Sequence, residues 1–123
     1  MCQMTGQQLI AAERQRQIDA EGWTPEHDDQ HGAQVLELAA LCYRDAAGDD
    51  SAQPAQWPWD TGWWKPKSRK RNLERAGALY QAASDAAERA GDFALRDSLR
   101  EHVDSCSILL DSIPASQAET SAA

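Results

Sequence analysis

The chain has 123 residues, of which 41% are hydrophobic and 26% are charged, a balance typical of one globular domain. Its formal net charge of -8 argues against general binding to genomic DNA or to an anionic membrane, because the long-range field repels phosphates. Three widely spaced cysteines form no CxxC pair, which excludes a zinc ribbon and fits a reducing compartment. With no basic leader and no apolar run of membrane-spanning length, a cytoplasmic location is expected.

The first predicted helix covers residues 6–21, with Thr5 as its N-cap and Gly22 as its C-terminal stop. Its apolar content is thin, and its alternating acidic and basic side chains are typical of an exposed face. In the alternative interpretation, part of this face lines a ligand cleft. Glu13, Arg14 and Gln17 would then project into a cleft beside Trp23.

Residues 24–32 are predicted to be a polar turn rich in acidic and histidine side chains. If this stretch is extended, alternate side chains share one side and could hold a divalent metal ion. The candidate ligands are His27, Asp29 and His31. Contiguous carboxylates are more often a solvated turn, so the sequence assigns no metal site and no cofactor.

Three further helices are predicted downstream. The second covers residues 33–47, where apolar side chains recur at helical spacing. The third begins after its N-cap Ser68 and runs to about residue 90, with small side chains inward. The fourth follows Asp92 and reaches residue 113 with the cleanest amphipathic pattern, so it forms an αα-hairpin with the third.

These elements predict an all-α fold, a compact bundle of about four helices with a long tryptophan-rich loop between the second and third. Residues 1–114 form one predicted domain, and residues 115–123 form a predicted disordered tail. The apolar faces of the third and fourth helices exceed what the thin first helix covers. A homodimer or larger symmetric assembly is therefore expected.

The loop before the third helix concentrates aromatic and basic side chains. Four of the five tryptophans lie within eight residues, and five of the twelve basic residues lie within the next seven. Flat aromatic faces beside positive charge suit a nucleobase joined to phosphate, and a helix N-terminus adds free N–H groups. The candidate ligand-binding residues are Trp23, Trp57, Trp59, Trp63, Trp64, Lys65, Lys67, Arg69, Arg71 and Arg14. In the alternative interpretation, the tryptophans only plug the end of the bundle and the cations stay solvated.

Common catalytic and phosphate-binding motifs are absent from the sequence, namely GxGxxG, GxxxxGKS/T, GxSxG and HExxH. Three segments resemble a family of small proteins encoded by tailed phages and prophages. They are ERQRQIDAEGWTPEHDD (residues 13–29), WPWDTGWWKP (57–66) and RNLERAGAL (71–79). The resemblance covers about residues 10–85 and implies a phage origin without specifying a reaction.

Two weaker resemblances define the alternatives. The order of helix, GW turn and basic helix is similar to the ryanodine-receptor repeat domain, a helical binding module. Glu13, Glu37 and Glu74 resemble the carboxylates with which all-α nucleotide pyrophosphohydrolases of the MazG type hold magnesium. The chain lacks the paired ExxE and ELGD-like runs that this chemistry needs, so the sequence favours binding over catalysis and assigns no catalytic residue.

The functional hypothesis is a phage accessory protein that binds a small anionic, nucleotide-like ligand without turnover in the host cytoplasm. Its sharpest form is a counter-defence sponge, which sequesters a host immune signalling nucleotide. The alternatives are a metal-dependent nucleotide pyrophosphohydrolase and a protein–protein inhibitor that uses exposed tryptophans as hot spots.

Overall fold

The computed structural model of the protein describes residues 4–113 and is all-α over that range. Its helices are α1 (Gly6–Glu21), α2 (Pro25–His31), α3 (Ala33–Asp45), α4 (Arg69–Arg89) and α5 (Phe93–Asp111), with a 3-10 turn at Thr61–Trp63. The predicted fold class is confirmed. The predicted tail at 115–123 lies outside the described residues. Within the described range, no helix is both long and apolar enough to cross a membrane.

Side-chain caps define four of the five α-helix starts, and three of these helices were predicted from the sequence. The Thr5 hydroxyl accepts the Gln8 backbone N–H at 3.1 Å, and the Gln8 side chain accepts the Thr5 N–H at 2.8 Å, a reciprocal capping box. The Ser68 hydroxyl accepts the Arg71 N–H at 3.3 Å, and Asp92 caps α5 in the same way. All three caps were predicted from the sequence and are confirmed.

Residues 24–32 do not form the predicted polar turn, because they carry α2. The described chain therefore has five α-helices rather than about four. The Thr24 hydroxyl accepts the His27 N–H at 3.3 Å, and Pro25 occupies the first helical position, where its missing N–H would have no helical partner. Gly32, with φ of 85°, ends the helix. Periodicity could not reveal α2, since its seven residues include no apolar stripe.

α4 is the helix on which the others pack, and it contacts each of the other four α-helices. Its buried face is rich in alanine and includes Gly77, as the sequence predicted. A Cβ atom on Gly77 would lie 2.5 Å from the Ile10 side chain, so α1 approaches α4 more closely than any larger residue would allow. Leu36 of α3 and Leu99 of α5 complete the core around it.

α1 turns polar side chains toward α4. Glu13 is 2% exposed and Gln17 is 1% exposed, so the prediction of an exposed charged face is wrong for both residues. The physical reason is a partner on another helix, because an Arg71 guanidinium nitrogen lies 2.9 Å from the Glu13 carboxylate. Charge alternation within one helix carries no signal of such a partner.

Residues 46–68, here called the tryptophan loop, connect α3 to α4. The loop is fixed to α3 by Tyr43, whose hydroxyl donates to the Trp63 carbonyl at 3.2 Å and accepts the Lys65 N–H at 3.1 Å. Trp57 is buried against the same tyrosine, with its ring centroid 5.6 Å away. The loop is therefore packed onto the bundle although it lacks a regular helix.

Candidate functional site

A cleft of about 490 Å³ lies where the α1–α2 turn meets the tryptophan loop. Indole and imidazole rings form much of its wall, and two carboxylates line it as well. We call it the aromatic cleft. It is defined by Glu21, Trp23, His27, His31, Trp59, Asp60 and Trp63.

Three of the predicted ligand-binding tryptophans meet in this cleft. The ring centroid of Trp23 lies 5.6 Å from that of Trp59 and 6.1 Å from that of Trp63. The rings are tilted by 57° and 48° rather than stacked flat, so they do not cover one another's faces. Trp63 is 44% exposed, which is unusual for a side chain of this size. These rings offer a planar ligand several stacking surfaces.

The other two predicted tryptophans, Trp57 and Trp64, line no part of the aromatic cleft. Trp64 stacks on Tyr43 with centroids 4.9 Å apart, and Trp57 meets the same ring edge-on. Trp57 is only 7% exposed. The structure therefore corrects the predicted ligand set, because these two side chains pack the loop onto α3.

The predicted basic ligand residues that follow the tryptophans also differ in their surroundings. Arg69 donates to two carbonyl oxygens at the C-terminal end of α3, which caps that helix. Arg71 donates to the carboxylates of Glu13 and Glu74. Lys67 is exposed but lines neither the aromatic cleft nor the pocket beside it. Since Arg69 and Arg71 have partners within the chain, the structure does not place them as the phosphate contacts that the sequence predicted.

Arg14 contacts the backbone of Trp23, one of the residues that line the aromatic cleft. Its guanidinium donates to the Trp23 carbonyl oxygen at 3.0 Å and pairs with the buried carboxylate of Asp28. These bonds tie α1 to both the turn and α2. Arg14 is therefore a positioning residue for Trp23, and it does not line the aromatic cleft as the sequence predicted.

A smaller pocket of about 140 Å³ adjoins the aromatic cleft, and the two share Glu21, Trp23 and Trp63. We call it the basic pocket, because its lining includes Arg16, Lys65 and Arg75. The Lys65 ammonium lies 5.3 Å from the centroid of the Trp63 ring. Among the described residues, Lys65 and Arg75 form no ion pair with a carboxylate. One Arg75 guanidinium nitrogen donates to the Lys65 carbonyl oxygen, but among the described residues the Arg75 Nε–H has no hydrogen-bond partner, so it can bind an anionic ligand together with the Lys65 ammonium.

Lys65 was predicted from the sequence, and Arg75 was not. Arg75 follows Arg71 by one helical turn, which places it on the same side of α4. Its guanidinium lies 5.7 Å from the centroid of the Tyr43 ring. This tertiary contact directs the Arg75 side chain toward the basic pocket. Glu21 and Asp60 were missed too, although each lies near a predicted tryptophan in the sequence.

The candidate metal ligands His27, Asp29 and His31 do not meet as a set of three. In α2 the side chain of Asp29 points elsewhere and pairs with Arg89 at 2.8 Å. The Nε2 atoms of His27 and His31 lie 3.2 Å apart. Burial, reinforced by the charge of His27, lowers the pKa of His31 and favours its neutral form. Among the described residues, no group of three or more His, Cys, Asp or Glu side chains has a metal-binding arrangement.

Two of the three carboxylates considered as magnesium ligands of a pyrophosphohydrolase form ion pairs within the chain. Glu13 and Glu74 both pair with Arg71, and Glu74 also pairs with Lys70. Glu37 is half-buried on α3. Glu13 and Glu74 thus form an internal ion-pair network between α1 and α4.

No protein-family model, curated protein or solved structure matches the chain. A functional assignment therefore depends on the chemistry of the aromatic cleft and the basic pocket.

Proposed function

We propose that the protein binds a small nucleotide-like ligand, with the base in the aromatic cleft and a phosphate in the basic pocket. The observation that carries this proposal is that the two pockets adjoin and share Glu21, Trp23 and Trp63 in their linings. The Lys65 ammonium lies over the Trp63 indole, 5.3 Å from its centroid, so positive charge adjoins a stacking surface at this residue. Stacking surface and positive charge are therefore spaced for the two parts of one nucleotide.

The size and lining of the cleft support a small ligand. Its volume of about 490 Å³ falls within the range of roughly 300–1,000 Å³ that is usual for small-molecule sites. Stacking of a base on an aromatic side chain contributes about 1–3 kcal/mol and tolerates every base, because each has a π face. The tilted tryptophans supply this contact without requiring a particular base.

Local charge supports binding of one small anion despite the net charge of -8. Lys65 and Arg75 can make charge-assisted hydrogen bonds to a phosphate, which are about twice as strong as neutral ones. Glu21 and Asp60 can accept N–H groups from the edge of a base. The same carboxylates and the negative field of the chain oppose a long polyanion such as genomic DNA.

Sequestration without turnover is the biological role that we propose for this binding. The resemblance to small phage proteins supports capture of a host immune signalling nucleotide in the host cytoplasm. A sequestering protein returns its ligand intact, whereas a pyrophosphohydrolase returns product. An inhibitor that uses Trp63 to contact another protein binds no nucleotide.

A panel of mono-, di- and cyclic nucleotides tests the proposal by calorimetry, with EDTA present to remove metal-dependent binding. The parent chain is compared with Trp63→Ala, Lys65→Ala and Lys67→Ala. Lys67 is the matched control, since it is an exposed lysine two residues from Lys65 that lines neither pocket. We expect Trp63→Ala to weaken binding by about 1–3 kcal/mol. Lys65→Ala should weaken binding and reduce its salt dependence, because a screened charge contact is lost.

The ligand is then recovered by denaturing the complex and identified by mass. Intact nucleotide supports sequestration, and a hydrolysis product contradicts it. If the folded parent chain binds no nucleotide of the panel, the ligand-site proposal fails. Equal losses in Lys65→Ala and Lys67→Ala would also contradict it, because general charge rather than the basic pocket would then be responsible.

A further inference from the structure

The two histidines of α2 lie one helical turn apart, so their imidazoles project from the same face. Their Nε2 atoms are 3.2 Å apart, and both side chains line the aromatic cleft. Zinc–imidazole bonds of roughly 2.0–2.1 Å place two nitrogen ligands of a tetrahedral ion about 3.4 Å apart. The pair therefore has nearly the spacing of two nitrogens that share one metal ion.

Aromatic neighbours fix the orientation of both rings. The indole of Trp23 is parallel to the His27 imidazole within 2°, with the centroids 6.1 Å apart. The indole of Trp59 meets the His31 imidazole edge-on, with the centroids 5.4 Å apart. Because these contacts restrict rotation of the imidazoles, a metal ion would meet nitrogens that are already oriented.

A buried carboxylate lies behind the pair. Asp28 is 0% exposed, and its Oδ2 pairs with Arg14. Among the described residues, Oδ1 of Asp28 and Nδ1 of His27 have no hydrogen-bond partner, although they lie 3.6 Å from each other. With a proton on Nδ1 directed at this carboxylate, Nε2 of His27 carries a lone pair, which accepts the Nε2–H of His31 when no metal ion is bound. The carboxylate–histidine–metal arrangement is the usual second shell of an imidazole metal ligand.

We propose that Nε2 of His27 and Nε2 of His31 bind one divalent transition-metal ion of the Zn²⁺ type at the wall of the aromatic cleft. Imidazole ligands favour Zn²⁺, Cu²⁺ and Ni²⁺ over Mg²⁺ and Ca²⁺, which prefer oxygen. The carboxylates of Glu21 and Asp60 line the same cleft and add negative charge around the ion. The remaining coordination positions belong to water or to an anionic group of a bound ligand. The metal site does not depend on the proposed nucleotide.

The experiment titrates Zn²⁺ alone into the chain carrying Cys2→Ser, because a thiol near the N-terminus would compete for the ion. The variants are His27→Gln and His31→Gln. The matched control is His102→Gln, which alters the third histidine, located on α5 and stacked on Tyr80. We expect one Zn²⁺ per chain in the parent and in the control. Both α2 variants should lose saturable binding, and Mg²⁺ should not bind the parent at this site.

A second measurement on the chain with both α2 histidines intact covers the case in which an α2 variant unfolds. The ¹⁵N shifts of the imidazole nitrogens are recorded during the Zn²⁺ titration. We expect the Nε2 signals of His27 and His31 to move together, while those of His102 stay in place. No saturable Zn²⁺ binding, or Zn²⁺-induced shifts confined to other residues, would overturn the proposal. The nucleotide panel contains EDTA, so failure of the metal site and failure of the nucleotide site are distinguishable.

Discussion

An Arg71 guanidinium nitrogen on α4 lies 2.9 Å from the buried carboxylate of Glu13 on α1. Arg16 donates two further hydrogen bonds to the same carboxylate, each of 2.9 Å. Burial by itself raises the pKa of Glu13, but the hydrogen bonds and charges of Arg16 and Arg71 outweigh it and lower the pKa below its usual 4.5. Because α1 has little apolar surface, this ion-pair network is a principal contact between α1 and α4.

Glu13→Gln should reduce the free energy of unfolding by about 1.5–3 kcal/mol near neutral pH, the range for hydrogen bonds to charged groups. The loss should be smaller than the roughly 3–5 kcal/mol of a fully buried pair, because Arg16 and Arg71 are partly exposed. Urea denaturation of the parent and of the variant measures this change in the free energy of unfolding. Glu101→Gln, an exposed carboxylate on the same chain, is the control and should change little. Equal stability of the two variants would show that the network is not stabilising.

The Glu13 contribution should also depend on pH. Its folded-state pKa is lowered, so the unfolded chain binds the proton more tightly, and ionised Glu13 stabilises the fold above about pH 4.5. This contribution is lost as the pH falls from that value through the folded-state pKa. The stability difference between the parent and Glu13→Gln should therefore narrow on acidification. A constant difference from neutral pH to about pH 3 would contradict the lowered pKa.

The helical fold could be predicted because its signals are local. Thr5, Ser68 and Asp92 each cap the helix that begins after them, and α5 carries an apolar stripe of regular period. α2 could not be predicted, since its stability comes from its cap and its packing rather than from an apolar pattern. Buried Glu13 was missed for a related reason, because its partner Arg71 is distant in the sequence.

The candidate site could be predicted only in part. The sequence marked Trp23, Trp59, Trp63 and Lys65, because tryptophan and lysine stand out in a loop. It could not separate them from Trp57, which differs only in its tertiary contacts. Composition shows that a segment is rich in rings and charges, but packing decides which of them face a cavity.

Alanine substitutions should separate the packing tryptophan from the cleft tryptophan. Trp57→Ala removes a ring that is 7% exposed and should cost about 3–5 kcal/mol of stability, as large-to-small core changes do. Trp63→Ala removes a ring that is 44% exposed and should change stability by about 0.5 kcal/mol. Thermal and urea denaturation of both variants check this. Comparable destabilisation would mean that Trp63 is a structural residue and would count against the ligand site.

Cys106 should resist alkylation in the native protein. Its side chain is 0% exposed, and burial raises the pKa of its thiol to about 11, so almost no thiolate is present at neutral pH. Iodoacetamide labelling followed by peptide mapping measures the rate at Cys106 separately from the other cysteines. Labelling in denaturant is the control and should be fast. Fast labelling of Cys106 without denaturant would contradict its place in the core.

Self-association should involve the end of the molecule where α1 begins and α5 ends. The Gly6 N–H donates to Asp111 at 2.7 Å, which brings the two helix ends together. Near this contact the side chains of Met4 and Ile108 are 51% and 65% exposed, and Leu109 beside them is also exposed. Apolar side chains grouped in this way favour a symmetric contact with a second copy.

We therefore expect the parent chain to sediment above its monomer mass of 13.6 kDa at tens of micromolar. Ile108→Gln should shift it toward the monomer, because a polar side chain at the contact loses apolar burial and gains a desolvation cost. Phe93→Gln is the matched control, since Phe93 is 53% exposed but lies at the opposite end of α5. Sedimentation velocity at several concentrations measures all three proteins. A parent chain that remains a 13.6 kDa monomer would remove the prediction, and dissociation by Phe93→Gln alone would move the interface to the other end of α5.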